Sequence, residues 1–148
     1  MMEKERKYLL NELLELFGDD LTSAILFGSR ARKNYTDYSD VDIIIVTRKE
    51  LEKDKQIHEL RKQFLLKFYK KLDLHVFSEE EMIENFKDVT PLFSTLLLGK
   101  SLLFDREMFF QKLFLSFIRE IADKNIKYCE GEKIWEISKI AKNLEILL

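Results

Sequence analysis

A chain of 148 residues with 25 basic and 27 acidic side chains carries a formal net charge of −2, which excludes a global basic field for nucleic acid and confines any polyanion site to a local cluster. It reads as one domain, long enough to bury roughly 68–70% of its unfolded surface. The one cysteine, Cys129, excludes an internal disulfide, and with neither a secretory start nor an apolar run of about 18 residues the expectation is a soluble, cytoplasmic protein with no membrane partner.

Tyr8, Leu9, Leu10, Leu13, Leu14 and Phe17 recur at helical spacing, and Gly18 stands where a C-cap glycine would. Residues 21–27 then predict a strand. Its Ala24-Ile25-Leu26-Phe27 stretch is too apolar for an exposed edge, and Gly28 ends it. Residues 29–33 fit one or two helical turns, and residues 34–39 hold turn formers and two tyrosines. Residues 41–46 are nearly all Ile and Val, the pattern of a strand covered on both faces. Leu51, Ile57, Leu60, Phe64, Leu65, Phe68 and Leu72 mark a long helix with Lys70-Lys71 at its C-terminal dipole. A short strand over 73–77 follows. Ser78-Glu79-Glu80-Glu81 has the spacing of a capping box, with Ser78 at the N-cap and Glu81 at N3.

Pro91 is placed to open a short helix ending near Gly99, before a brief strand over 101–104. From Arg106 the pattern reads as helical to the end. Phe109, Phe110, Leu113, Phe114, Phe117, Ile118 and Ile121 form one apolar stripe, and Ile134, Ile137, Ala141, Leu144 and Leu148 form another beyond a break near Gly131. Such stripes suit core packing or a subunit contact, which motivates an expectation of homo-oligomerisation. The fold class expected is α/β: a small mixed β-sheet with packed helices over residues 1–105, and a C-terminal helical pair over 106–148 packed on the same domain.

Chemistry concentrates between residues 24 and 46. Side chains alternate along a strand, so Asp40 and Asp42 share a face with Cα atoms about 6.5–7 Å apart. If the strand opening at Asp73 lies alongside, its carboxylate joins them. Three carboxylates that close raise one another's pKa unless a divalent cation neutralises them, and Mg²⁺, a hard ion with oxygen ligands, fits that role. Gly28 lets the backbone approach a ligand closely, while the Ser29 hydroxyl and the N–H groups of its turn can receive phosphate oxygens. Two metal ions about 3.5–4 Å apart at such a site suit an in-line displacement that releases pyrophosphate.

These residues resemble the DNA polymerase beta-like nucleotidyltransferase superfamily, and within it the minimal nucleotidyltransferases, whose signature is GS, ten residues, then DxD. Gly28-Ser29, residues 30–39 and Asp40-Val41-Asp42 match it without a gap. A chance match in a chain this long is on the order of a few in a thousand, so the motif is specific. The resemblance covers about residues 5 to 105, with Asp73 in the place of the third aspartate and Leu98-Gly99-Lys100-Ser101-Leu102 as the closing motif. It implies that Asp40 and Asp42 bind two Mg²⁺ ions, that Asp73 completes the site and helps deprotonate the acceptor hydroxyl, and that Gly28 and Ser29 hold the triphosphate of ATP. One departure is Lys33, where many relatives carry Gly.

Small members of this family often act as antitoxins that adenylylate a tyrosine on a helical HEPN-type ribonuclease partner, and the resemblance implies that role here. Two rivals remain open at this point. One is a small-molecule, aminoglycoside-type nucleotidyltransferase; the other is a non-catalytic nucleotide-binding or interaction module. No sequence-specific nucleic-acid contact is expected.

Other candidates weigh less. Arg30, Arg32 and Lys33 either neutralise triphosphate charge or are simply solvated, and Arg30 is favoured because it adjoins Ser29. Tyr35 and Tyr38 suit local packing better than base stacking. His58 reads as a boundary residue of its helix, and His75, sharing a strand face with Asp73, reads equally as core or as site border. Cys129 has no metal-ligand spacing and is expected to be inert.

Overall fold

The computed structural model describes residues 1–31, 36, 39–87, 95–130 and 132–147. Helix α1 (Glu3–Phe17) ends at Gly18, whose φ of +55° and N–H bond to the Leu14 carbonyl make it the C-cap expected. Strand β1 (Leu21–Phe27) leads into a single helical turn, α2 (Gly28–Ala31). Strand β2 (Val41–Thr47), helix α3 (Asp54–Phe68), strand β3 (Leu72–Ser78), helix α4 (Glu79–Lys87) and strand β4 (Ser101–Asp105) follow. Helix α5 (Phe109–Ile121), the hairpin of β5 (Lys127–Glu130) and β6 (Lys133–Glu136), and helix α6 (Ile137–Leu147) complete the chain.

The four main strands form one mixed sheet in the order β3-β2-β1-β4. β1 runs antiparallel to β2 and β4, whereas β2 and β3 are parallel. Both faces are covered. Leu9, Leu13 and Phe17 of α1, with Leu60 and Phe64 of α3, pack on Ala24, Leu26, Ile43 and Ile45. Phe86 of α4, Phe110, Phe114 and Phe117 of α5, and Ile137 and Ala141 of α6 pack on Ile25, Phe27, Ile44 and Val46. A central strand sandwiched this way buries side chains of both parities, which is why all seven residues of β1 are buried and why β2 reads as continuous Ile and Val.

The aromatic stripe of α5 is consumed inside the chain. Phe86 meets Phe117 edge-on at 4.7 Å between centroids, and Phe110 stacks on Phe114 at 5.5 Å. Its apolar character is thus explained without a second copy. No helix among the described residues is long and apolar enough to cross a membrane.

Three sequence expectations are corrected. The stretch from Arg106 is not helical throughout, because the β5–β6 hairpin interrupts it and leaves Ile134, assigned above to a helical stripe, 63% exposed. Leu72 belongs to β3 rather than to the end of α3, since Tyr69 at φ +57° terminates that helix three residues earlier. Strand β2 opens at Val41, so Asp40 stands just before it. The helix expected after Pro91 falls on residues outside those described, save for a 3₁₀ turn at Thr95–Leu97.

The capping box at α4 forms as expected. The Glu81 backbone N–H donates to Ser78 Oγ at 3.1 Å, and the Ser78 N–H donates to Glu81 Oε1 at 3.1 Å. Ser78→Ala removes the first of these and strands a donor on a half-buried turn; we expect a loss of about 1 kcal/mol, checked by denaturant unfolding. Glu81→Gln should cost less, because its amide oxygen still reaches the Ser78 N–H.

Candidate active site

One end of the sheet carries Arg30, Asp40 and Asp42 of the signature region, whereas Arg32, Lys33 and Asp37 lie outside the described residues together with Tyr35 and Tyr38. In the parallel ladder Asp42 lies directly opposite Asp73, and across the antiparallel ladder Asp42 lies opposite Phe27. Directly paired residues on neighbouring strands sit about 4.8 Å apart and share a face, so two carboxylates converge beside the turn that follows Phe27. The face is the one covered farther along by α4, α5 and α6; Ile44 and Val46 extend that row into the core. The site is therefore the polar end of an otherwise apolar row.

Gly28 adjoins this pair as closely as atoms allow. Its φ is +74°, and a Cβ placed on it would stand 2.5 Å from Asp42 Oδ2. Only a residue without a side chain can hold this backbone against that carboxylate. Ser29 follows on the α2 turn, half-buried.

Arg30 is placed differently from a surface cation. It is 4% exposed, and its guanidinium donates to the Ser39 carbonyl at 2.9 and 3.3 Å and to the Thr36 carbonyl at 3.5 Å. It spans the loop between the glycine-serine turn and β2. Asp40, at the far end of that loop, lies 3.7 Å from Lys71 Nζ, a pair exposed enough to contribute little.

A third donor joins the two aspartates. Asp42, Asp73 and His75 place one ligand atom each within 4.8 Å of one another, and Asp40 is not part of this group. His75 Nε2 lies 3.8 Å from Asp73 Oδ2, and its ring meets Phe27 edge-on at 5.4 Å. The sequence alone leaves His75 undecided; its parity with Asp73 is the available signal. His58, by contrast, is exposed on α3, and Cys129 is a free, exposed thiol on β5.

Electrostatics mark the site as one that wants a cation. Burial raises the Asp42 carboxyl above its usual pKa, and the charges of Asp73 and Asp40 add to the effect, against a smaller opposing pull from His75 and Lys71. A divalent cation would remove that penalty, and two carboxylates with a glycine cradle fit one. Chemically, such an arrangement can hold a cation and admit a phosphate chain beside it.

A nucleotidyltransferase domain model matches residues 6–96, the stretch that holds Gly28, Asp42 and Asp73. The chain belongs to the nucleotidyltransferase domain family. A Methanocaldococcus jannaschii relative bearing the name "Putative protein adenylyltransferase MJ1305" is 32% identical over 148 residues, covering 95% of this chain and 99% of its own.

Among solved structures, a chain from the complex of a tri-AMPylated Shewanella oneidensis HEPN toxin with MNT antitoxin superposes with a TM-score of 0.54 at 16% identity. It covers 81% of this nucleotidyltransferase and 86% of itself. A toxin–antitoxin structure with AMP-PNP gives 0.54 at 15% identity, covering 80% and 86%. At these identities the likeness establishes the fold. It is the nucleotidyltransferase-like mixed sheet with packed helices expected from the sequence.

Proposed function

We propose that this nucleotidyltransferase moves AMP from ATP, with two Mg²⁺ ions, to an acceptor hydroxyl on a protein, a tyrosine of a HEPN-type partner, and so acts as an antitoxin in the cytoplasm. The observation that carries the reading is the pairing of Asp42 with Asp73 across the parallel ladder, with Gly28 pressed against Asp42. The relative's name, protein adenylyltransferase, supports a protein acceptor. The neighbouring complexes, one with an AMPylated HEPN toxin and one with AMP-PNP, support the partner and the donor.

In this reading Asp42 and Asp73, with Asp40 at the mouth of the site, hold the cations. When bound, Mg²⁺ supplies charge neutralisation of the triphosphate and of the departing pyrophosphate. Gly28 admits the phosphate chain to the strand end, and Ser29 donates its hydroxyl and backbone N–H to phosphate oxygens. Asp73 takes the proton of the attacking hydroxyl. Arg30 serves the nucleotide by fixing the loop behind Ser29 rather than by touching phosphate.

The test is transfer of label from α-labelled ATP, with Mg²⁺, to a HEPN-type candidate partner. The expected result is one AMP or more per partner, mapped to tyrosine by mass spectrometry and absent with Asp42→Asn. Label appearing on an aminoglycoside, or on no acceptor while partner restraint persists in Asp42→Asn, would replace this reading with one of its rivals.

A further inference from the structure

Resting on the reading of Asp42 and Asp73 as a cation-holding pair, we propose that His75 Nε2 is a third ligand of that cation and tilts the site toward divalent transition ions over Mg²⁺. The geometry carries it. Donors bound to one ion at about 2.1 Å lie about 3.0 Å apart when adjacent and about 4.2 Å apart when opposite. The 3.8 Å between His75 Nε2 and Asp73 Oδ2 falls within that range, and the 4.8 Å limit on the whole group requires only small side-chain rotations.

The fold also aims the ring. Alternation along β3 puts His75 on the face of Asp73, and the parallel register sets it opposite Ile44, one row deeper than the two aspartates. Phe27, on β1 beyond the intervening β2, packs edge-on against the imidazole and restricts its rotation, so that Nε2 stays turned toward the carboxylates. Asp40, the other oxygen donor nearby, stands outside the group and beside Lys71.

The ligand set is thus two oxygens and one nitrogen. Mg²⁺ is hard and takes oxygen ligands in near-ideal octahedra, whereas imidazole suits first-row transition ions, whose affinity rises from Mn²⁺ to Cu²⁺ and drops again at Zn²⁺. An all-carboxylate site would not discriminate in this way. The nitrogen is the discriminating donor.

Mn²⁺ added alone to the full chain tests the proposal by pulsed electron paramagnetic resonance, which detects nitrogen bonded directly to the ion. The expected spectrum shows one coupled ¹⁴N that changes to the ¹⁵N pattern when histidine is isotopically labelled. The chain has two histidines, so His75→Gln should abolish the coupling while His58 remains as a control. Mn²⁺ affinity should fall in that variant by at least the roughly tenfold that loss of even an outer-shell partner costs, and Mg²⁺ affinity, read by competition, by less. Mn²⁺ bound in an Asp42-dependent manner without nitrogen coupling overturns the role of His75 and leaves the carboxylate pair standing. No Mn²⁺ binding by the wild-type chain overturns both. The spectrum of the wild-type protein decides the matter even if the variant folds poorly.

Discussion

Asp42→Asn is expected to cut nucleotidyl transfer by about a thousandfold or more, as loss of several kcal/mol of charge stabilisation implies, and to raise the melting temperature of the metal-free protein at neutral pH. The two effects come from one cause. Asp42 is held at the polar end of a buried row, opposite Asp73 and near Asp40, and burial together with those charges lifts its pKa. A carboxyl whose pKa is raised by folding binds its proton more tightly in the folded state, so its ionisation favours unfolding as the pH rises through that raised value. The penalty is absent below the ordinary carboxylate range and present at neutral pH. The variant, which never ionises, should therefore melt higher than the wild type at pH 7 and lose that advantage on acidification. Scanning calorimetry at the two pH values reads the sign. A variant that melts lower at pH 7 would show that Asp42 is a structural acceptor rather than a strained ligand.

Gly28→Ala should be nearly as damaging to transfer, by about a hundredfold, because an added Cβ would meet Asp42 Oδ2 at 2.5 Å and push the carboxylate out of place. It should also cost about 1–2 kcal/mol, since φ +74° is a left-handed conformation that alanine resists. Gly18→Ala separates the two contributions. Gly18 has φ +55° but nothing within 4 Å of where an added methyl group would stand, so positive-φ strain arises there with no carboxylate to displace. The expected pattern is loss of stability in both variants and loss of transfer in one. Equal activity in the two would remove the claim that the Gly28–Asp42 contact positions the site.

Much of the sheet is legible in the sequence because the residues that build it face apolar layers on both sides. The Ile-Val run of β2 and the buried β1 leave little alternative to central strands. The Ser78–Glu81 capping box is legible because it is a local, reciprocal pair whose geometry depends on the two intervening residues alone. The β5–β6 hairpin is not, since Ile134 and Ile137 fall at a spacing that a helix would also use, and no Asn-Gly or Asp-Gly turn marks the bend.

In the candidate site the pairing of Asp42 with Asp73 is inferable from alternation plus one assumed strand neighbour, and the sheet order supplies that neighbour. His75 is harder. Its place beside the carboxylates depends on the rotation of an imidazole held by Phe27, two strands away in the ladder, and no pattern along one strand encodes that contact. Asp40 is harder still: alternation puts it with Asp42, but the strand begins one residue too late to hold it there.

Arg30 makes the ten-residue interval between Ser29 and Asp40 a mechanical quantity. By grasping the carbonyls of Ser39 and Thr36 from within the core, it works as a tether of fixed reach across the mouth of the loop. Shortening or lengthening the interval by one residue is expected to carry those carbonyls away from the guanidinium. In this chain the interval is then a ruler cut to the length of an arginine side chain.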